Sequence, residues 1–498
     1  MSLLILSLLL RVIYYFYQKQ TLKKWINLNI PGPEPIFPFG NMSKFVTLRS
    51  SLTMVFTEIY KKFENCRYVG IFLMNRPGVL IRDPELVEEI LVKNFSSFHD
   101  NDIHVNKEDD VIFGNNPFVV KGSDWKDIRT QHLLSLTGSK VKNMFPEINE
   151  VGDKMVKYLK SELNKTEMYC MDALELMARY TTDVVTSVAL GIDAKSFTSE
   201  EPKLRNAGKT IFEPNKKNGL KVIALFVMPW LSKVISLRLI SKSLENLYKK
   251  MIEDVERYRE EMNLKRNDFF EHIKEFRGKK MSIENIMTQV GGVYIDGFGT
   301  NSSALNFMVY ELAKNEDVQQ NLRQEIKKYL NDCNGVITFE GVQSLEYLNA
   351  VIHESLRKYP PFPQLTKVCT QEYTFPKSTT KSSEFKSEIG LPIVIPVYAL
   401  QNDEKYFPEP DVFKPERFLP ENKEKIIKYT YMPFGDGPRI CIGQKFALLQ
   451  SKIALLKLVS NFNMKLNYDK TKMPVELDPF GVILAAKGRL WINFIKIN

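Results

Sequence analysis

One stretch of this chain has the residue types and spacing to hold a reactive metal: Phe434-Gly435-Asp436-Gly437-Pro438-Arg439-Ile440-Cys441-Ile442-Gly443. Its glycines let a loop fold tightly around a single cysteine. A helix is expected to start near Gln444 and run through Phe446, Leu448, Leu449 and Ile453. A cysteine at a helix N-terminus gains backbone N–H donors and the positive end of the helix dipole. Arg439 adds a nearby cation. All three favour the thiolate, the form that ligates metals. The plain alternative is a buried free cysteine, which requires neither the glycines nor the arginine.

Charged residues recur at helical spacing elsewhere. Glu354 and Arg357 stand at i and i+3 on a segment marked as helix by Leu345, Leu348, Val351, Ile352 and Leu356 and ended by Pro360-Pro361. Trp125 and Arg129 stand at i and i+4, so both can aim hydrogen-bond donors in one direction. The segment Phe413-Lys414-Pro415-Glu416-Arg417-Phe418 supplies a further arginine. Between them, Ile283 to Asn315 reads as one long helix, yet Gly291, Gly292, Gly297 and Gly299 fall close together in it. Each glycine costs about 1 kcal/mol relative to alanine in a helix interior. Such a helix is expected to be deformed, or approached closely by something flat. Asp296 and Thr300, four residues apart, share one of its faces.

Other chemistries find no support. His99, His104, His132, His272 and His353 lie in unrelated contexts without an HExxH pattern, which argues against a zinc or di-iron site, and His353 reads as structural. Gly435-x-Gly437 lacks the preceding strand, the third glycine and the later acid of a dinucleotide-binding turn. Any electrons must therefore come from another protein. Five cysteines without CxxC spacing exclude a disulfide framework and a zinc ribbon.

The elements that must position these residues are mainly helical. Val151 to Leu163, Leu244 to Met262 and Val318 to Leu330 show helical periodicity beside the long helix. Strands are expected only at Tyr68 to Leu73, Gly78 to Ile81, Leu391 to Ile395 and Leu490 to Ile495. The chain has 498 residues, 44% of them apolar, and is long enough to bury a large core and enclose a cofactor. A mean hydropathy of -0.23 excludes a polytopic membrane protein. Net charge is +10, but the lysines and arginines are spread along the chain, so nucleic acid is not expected as a partner.

The N-terminus carries an apolar run, Leu3 to Tyr17, broken by Arg11 and followed by Lys19, Lys23 and Lys24. A cleaved signal peptide has its charge first and a small-residue cleavage site after; here the order is reversed. We expect residues 1–18 to be an uncleaved membrane anchor with its basic flank in the cytosol. Residues 19–40, with Pro31-Gly32-Pro33-Glu34-Pro35, then form a stiff Pro-rich hinge, and 41–498 one catalytic domain. The apolar stretch Leu220 to Ile240, broken by Pro229, suits either buried core or a surface that dips into the bilayer.

The loop FGDGPRICIG resembles the haem-binding loop of cytochromes P450, F-x-x-G-x-R-x-C-x-G. The ExxR pair, the later arginine segment and the W-x-x-x-R helix follow the same family in the expected order. The chain looks most like microsomal, insect-type members of the xenobiotic-metabolising group. The resemblance implies the mainly α P450 fold with small β-sheets, haem b held by the Cys441 thiolate, and a monooxygenase acting on a lipophilic small molecule. It implies that Trp125, Arg129 and Arg439 serve the haem propionates, with Phe434 and Gly443 in the cofactor loop. Lys367 stands where the family often has a further arginine; lysine keeps the charge but loses the bidentate fork. Glu354, Arg357 and Arg417 are implied to form a buried network. Pocket candidates by family position are Ile112, Phe113, Phe118, Phe212, Phe298, Phe362, Leu365 and Ile483.

Electrons are implied to come from NADPH through the flavoprotein reductase of the endoplasmic reticulum, with cytochrome b5 as a further donor. Lys121, Lys126 and Lys445 flank the face that would dock it. The oxygen-activation segment departs from the family pattern A/G-G-x-D/E-T. It reads Asp296-Gly297-Phe298-Gly299-Thr300: the threonine is present and the acid before it is replaced by Gly299. Asp296 then has several open roles. It could relay protons with Thr300, form an ester to a haem methyl as in the fatty-acid hydroxylase group, pair with a cationic substrate, or face water without a role. Two rival activities remain at this level: a reductase-independent thiolate-haem isomerase or dehydratase, and a non-catalytic haem-bearing lipid carrier.

Overall fold

In the computed structural model, the described residues are Ile5 and residues 15–234, 236–266, 268–276 and 283–497. Most of the expected anchor, including Arg11, lies outside them. Among the described residues no helix is long and apolar enough to cross a membrane.

The helix Ile283–Lys314 is the axis of the molecule and packs along Ala173–Leu190. The second of these is fixed at both ends. The Asp172 carboxylate accepts the N–H of Leu174, and Gly191 terminates it at φ +65°, where a Cβ would be strained. Around this pair the main core gathers Leu305, Phe307, Val309, Leu348, Ile352, Leu449 and Ile453, all fully buried. Phe145–Leu163, Lys242–Glu261 and Glu316–Asp332 match the periodic segments of the sequence to within a few residues, apart from an earlier start at Phe145.

A second core lies at one side, on a five-stranded sheet ordered Tyr68–Leu73, Arg76–Ile81, Pro392–Ile395, Leu365–Val368, Asp100–Asn101. The first hairpin pairs Tyr68 with Ile81 antiparallel, and Val79 runs parallel to Ile393. Tyr68–Leu73 is apolar and buried at all six positions, as a strand covered on both faces must be. The last pairing sets Asn101 opposite Lys367. Trp491–Lys496 forms the centre of a separate three-stranded sheet.

The segment 19–40 does not stand clear of the body. Trp25 is buried, its indole N–H donates to the Ile71 carbonyl at 2.9 Å, and the Gly70 N–H donates to the Pro31 carbonyl at 2.8 Å. Gly32 permits this contact, because a Cβ there would lie 2.2 Å from the Gly70 oxygen. The stretch from Leu220 forms the helices Lys216–Phe226 and Pro229–Val234. Val222, Ile223, Ala224 and Leu225 are buried while Leu220 is exposed.

Candidate active site

The cysteine loop folds as its glycines allow. Gly435 and Gly437 take φ of +72° and +70°, and a Cβ on Gly437 would lie 2.0 Å from the Leu91 oxygen. The Asp436 carboxylate caps a short turn at Gly437–Arg439, and the Cys441 N–H donates to the Phe434 carbonyl at 2.9 Å. The helix then runs Gln444–Asn461 with Gly443 as its N-cap. Backbone N–H groups of Gly443 and Gln444 point at the Cys441 sulfur. Any thiolate there has the donors expected at a helix N-terminus.

The ionisation balance nonetheless differs from the expectation. Burial pushes the Cys441 thiol up to about 11, and the negative charge of Asp296 raises it further. The two N–H groups and Arg129, rather than Arg439, oppose this only in part. Loss of solvation thus opposes the thiolate that the helix terminus favours. A bound metal cation reverses this, since a coordinating thiol is deprotonated outright.

Beside the loop is a surplus of positive charge. Arg439 reaches the carbonyls of Pro117 and Val120 at 3.1 Å and the Asp100 carboxylate at 3.2 Å. Its guanidinium lies 4.3 Å from the centre of the Trp125 ring. Arg129, on the helix Gly122–Ser135 with Trp125, donates to the Ile440 carbonyl at 2.8 Å. Lys367 donates to Asn101 at 2.9 Å, as the strand register dictates. Burial and the neighbouring charge of Arg439 push the Lys367 ammonium down to about 7, and burial pushes Arg439 down to about 10. Arg439 and Lys367 thus share one carboxylate, Asp100, with Arg129 close to both cations, and Asp100 also accepts from His99 and the Gly122 N–H. The Nε of Arg439 is buried and without a partner among the described residues. A cluster so short of anions fits a cofactor that brings carboxylates of its own, next to a sulfur that suits iron.

Glu354 and Arg357 form a bidentate pair at 2.8 and 2.9 Å, both fully buried. Arg357 also donates to the carbonyls of Gln401 and Pro410, and Glu354 accepts the Lys414 N–H at 3.0 Å. Arg417 approaches Glu354 at 3.5 Å and donates to the Glu409 carbonyl. The whole cluster sits behind the cysteine loop: Gln401 accepts the Met432 N–H there at 2.9 Å.

The glycine-rich helix is continuous from Ile283 to Lys314, so its glycines do not break it. Three of the four are sites of close approach, whereas a Cβ on Gly292 would meet only an ordinary contact, Asn116 at 3.5 Å. A Cβ on Gly291 would lie 3.3 Å from Ile112, one on Gly297 3.1 Å from Val185, and one on Gly299 2.6 Å from the Phe212 ring. The flat group at Gly299 is therefore Phe212, and it fills the place where the family's acid would project.

Thr300 donates its hydroxyl to the Asp296 backbone carbonyl at 2.5 Å, not to the Asp296 carboxylate. The carboxylate instead accepts from Asn116 Nδ2 at 2.9 Å. Asp296 and Cys441 both present surface to the cleft between the long helix and the loop. Desolvation by the surrounding cleft walls pushes the Asp296 carboxyl up to about 6, with Asn116 opposing.

The pocket candidates separate into groups. Phe118 and Phe362 pair at 5.1 Å, Ile112 lies against Gly291, and Leu365 is the nearest side chain to Gly435. Phe113 is buried on the short helix Val111–Gly114, whose N-cap is Asp110. Phe298 is about 200° around the helix from Asp296. With Phe212, Ile483, Arg205 and Asn306 it lines a separate cavity of about 30 Å³. Sequence reasoning missed Asn116, Asp100 and Asn101. None carries a local motif, and Asp100 is 339 residues from the arginine it holds.

Comparison with known proteins agrees with this geometry. The family model described as Cytochrome P450 matches residues 30–492. The chain is 35% identical to "Probable cytochrome P450 6g2" of Drosophila melanogaster over 99% of this chain and 98% of that relative. It is 32% identical to "Cytochrome P450 6j1" of Blattella germanica (97% and 95% covered) and 31% identical to "Cytochrome P450 6a2" of Drosophila melanogaster (97% of each). With the cysteine loop, the cation cluster and near-complete coverage by family model and insect relatives all in agreement, the chain belongs to the cytochrome P450 family of haem-thiolate monooxygenases.

Proposed function

We propose that this protein inserts one oxygen atom into a lipophilic small molecule, using electrons from NADPH passed through the flavoprotein reductase of the endoplasmic reticulum. Cytochrome b5 is proposed as a second electron donor. Haem b is held by Cys441, with Trp125, Arg129, Lys367 and Arg439 around its propionates. When bound, the thiolate-ligated haem supplies reductive activation of O₂. The protein's own residues do the rest. Arg439 Nε, buried without a partner among the described residues, is the observation that carries the cofactor assignment. The hydroxyl of Thr300, held by the helix backbone, is placed to hand on a proton. Ile112, Phe113, Phe118, Phe362 and Leu365 exclude water and offer an apolar surface to the substrate.

The basic face near Cys441 supports an acidic redox partner: Lys126 and Lys445 are exposed, while burial lowers the half-buried Lys121. Residues 1–18 are proposed to anchor the chain in the endoplasmic reticulum membrane with the catalytic domain in the cytosol.

Two measurements test this reading. The reduced carbon monoxide spectrum should show the far-red-shifted band of thiolate coordination and lose it in Cys441→Ser; retention of that band in Cys441→Ser refutes the assignment. Reductase-supported turnover over a panel of terpenoids, steroids, fatty acids and alkaloids should give products containing one added oxygen and should require NADPH.

A further inference from the structure

The small cavity between the helix Lys203–Phe212, the long helix and the segment around Leu484 has a wall of two kinds. Aromatic rings form one part. A Cβ on Gly208 would lie 2.4 Å from the Phe298 ring, and one on Gly299 2.6 Å from the Phe212 ring. Each helix therefore seats a ring in a notch on the other, and the two rings meet at 5.8 Å between centroids. A cavity walled only by such groups would stay dry. Here Arg205 and Asn306 also line it, and they are only 2% and 4% exposed.

Neither side chain is fully satisfied by the protein. Arg205 donates through Nη2 to Glu175 at 2.7 Å and to Glu213 at 3.3 Å. Its Nε is buried without a partner among the described residues, and so is Asn306 Oδ1. One atom is a donor and the other an acceptor, and they belong to two different helices. Leaving such groups unbonded in the interior is costly. Two hydroxyls add to the acceptors of the wall. Ser302 Oγ donates to the Gly299 carbonyl at 2.9 Å and Ser303 Oγ to the Leu484 carbonyl at 2.6 Å. Each hydrogen is committed, while each oxygen can still accept. The volume of about 30 Å³ is too small for an organic ligand and accommodates two waters at roughly 10–15 Å³ each. A buried water typically makes about three hydrogen bonds, which a wall of this composition can supply.

We propose that this cavity is a structural water site, in which one or two waters accept from Arg205 Nε, donate to Asn306 Oδ1, and so tie the helix Lys203–Phe212 to the long helix. The waters complete an interface that the interlocked rings begin. They also hold in place the helix whose last residue, Phe212, occupies the space beside Gly299. The proposal does not depend on the substrate or on the electron donor.

The test uses the haem-loaded full-length protein. A crystal structure that resolves ordered water should show density in the cavity at hydrogen-bonding distance, about 2.7–3.2 Å, from Arg205 Nε or Asn306 Oδ1. Crystals under xenon pressure should take up none there, because xenon enters dry apolar cavities. Xenon in the cavity, or no water density, overturns the proposal. Hydrogen exchange then reads the tie between the helices. Asn306→Leu removes the acceptor and should speed amide exchange in the helix Lys203–Phe212 about fivefold or more, the scale of one lost hydrogen bond. Asn306→Asp keeps an oxygen at the site and should stay within twofold of wild type. Unchanged exchange in Asn306→Leu, or an equal rise in Asn306→Asp, overturns the proposal. Should Asn306→Leu fail to fold, the wild-type crystals with and without xenon decide alone.

Discussion

At the scale of single residues, the site is dominated by charges that the protein does not neutralise itself. Arg129, Lys367 and Arg439 crowd together with Asp100 as the one carboxylate that Lys367 and Arg439 share, and Glu354 and Arg357 are sealed from water altogether. Removing one member of such a buried pair strands the other at a cost of about 3–5 kcal/mol. Glu354→Ala should therefore leave Arg357 unpaired behind the cysteine loop. The expected outcome is a haem content several-fold below wild type and a lower melting temperature, read by pyridine haemochrome assay and thermal denaturation. Normal haem content would remove Glu354 from any role in holding the loop. The lost acid of the oxygen-activation segment is also a residue-scale fact with a steric cause, since the Phe212 ring occupies its space.

At the scale of elements, that exchange couples two helices. Lys203–Phe212 ends in the ring that packs on Gly299 of Ile283–Lys314. Gly299→Ala alone should destabilise the protein, because overpacking costs about 1–3 kcal/mol and outweighs the ~1 kcal/mol gained in helix propensity. In a Phe212→Ala background the clash is gone, and the same substitution should become stabilising by up to ~1 kcal/mol. A double-mutant cycle of denaturation free energies would show this change of sign; additive effects would mean that the two side chains do not meet. The strand pairing of Asn101 with Lys367 is a second coupling, because sheet register delivers the amide that holds a cation at the cofactor cleft.

At the scale of the whole molecule, two expectations follow from charge. If the face near Cys441 docks an acidic reductase, Lys126→Glu and Lys445→Glu should slow reductase-supported turnover at low ionic strength. The carbon monoxide spectrum should not change, and the difference from wild type should shrink as salt screens it. An undiminished rate in both variants would locate the docking face elsewhere. The second concerns acid stability. His132 is buried against Phe269 with Nε2 unpartnered among the described residues, and burial pushes its imidazole from 6.5 down to about 4. Below pH 6.5 the unfolded chain binds a proton that the folded chain refuses, so stability falls as pH drops from about 6.5 to about 4. His132→Phe should flatten that slope by up to one proton, measured from denaturant midpoints across the window; an unchanged slope would assign it to other groups.

What the sequence determined by itself was the chemistry with short reach. The cysteine loop, the Glu354–Arg357 spacing, the Trp125–Arg129 helix and the strand Tyr68–Leu73 are each set by a few adjacent residues, whose backbone preferences and periodicity act locally. Thiolate character was the exception: the helix terminus argued for it from nearby residues, while burial, a property of the whole fold, acts more strongly and in the opposite direction. Tertiary structure alone decided which partners those residues meet. Asn116 reaches Asp296 across 180 residues, Phe212 fills the space beside Gly299, and Gly291, Gly297 and Gly299 of the long helix make room for close neighbours. Such contacts depend on how helices and strands pack, and no pattern within a short window of sequence encodes the distance between two surfaces that meet only in the folded chain.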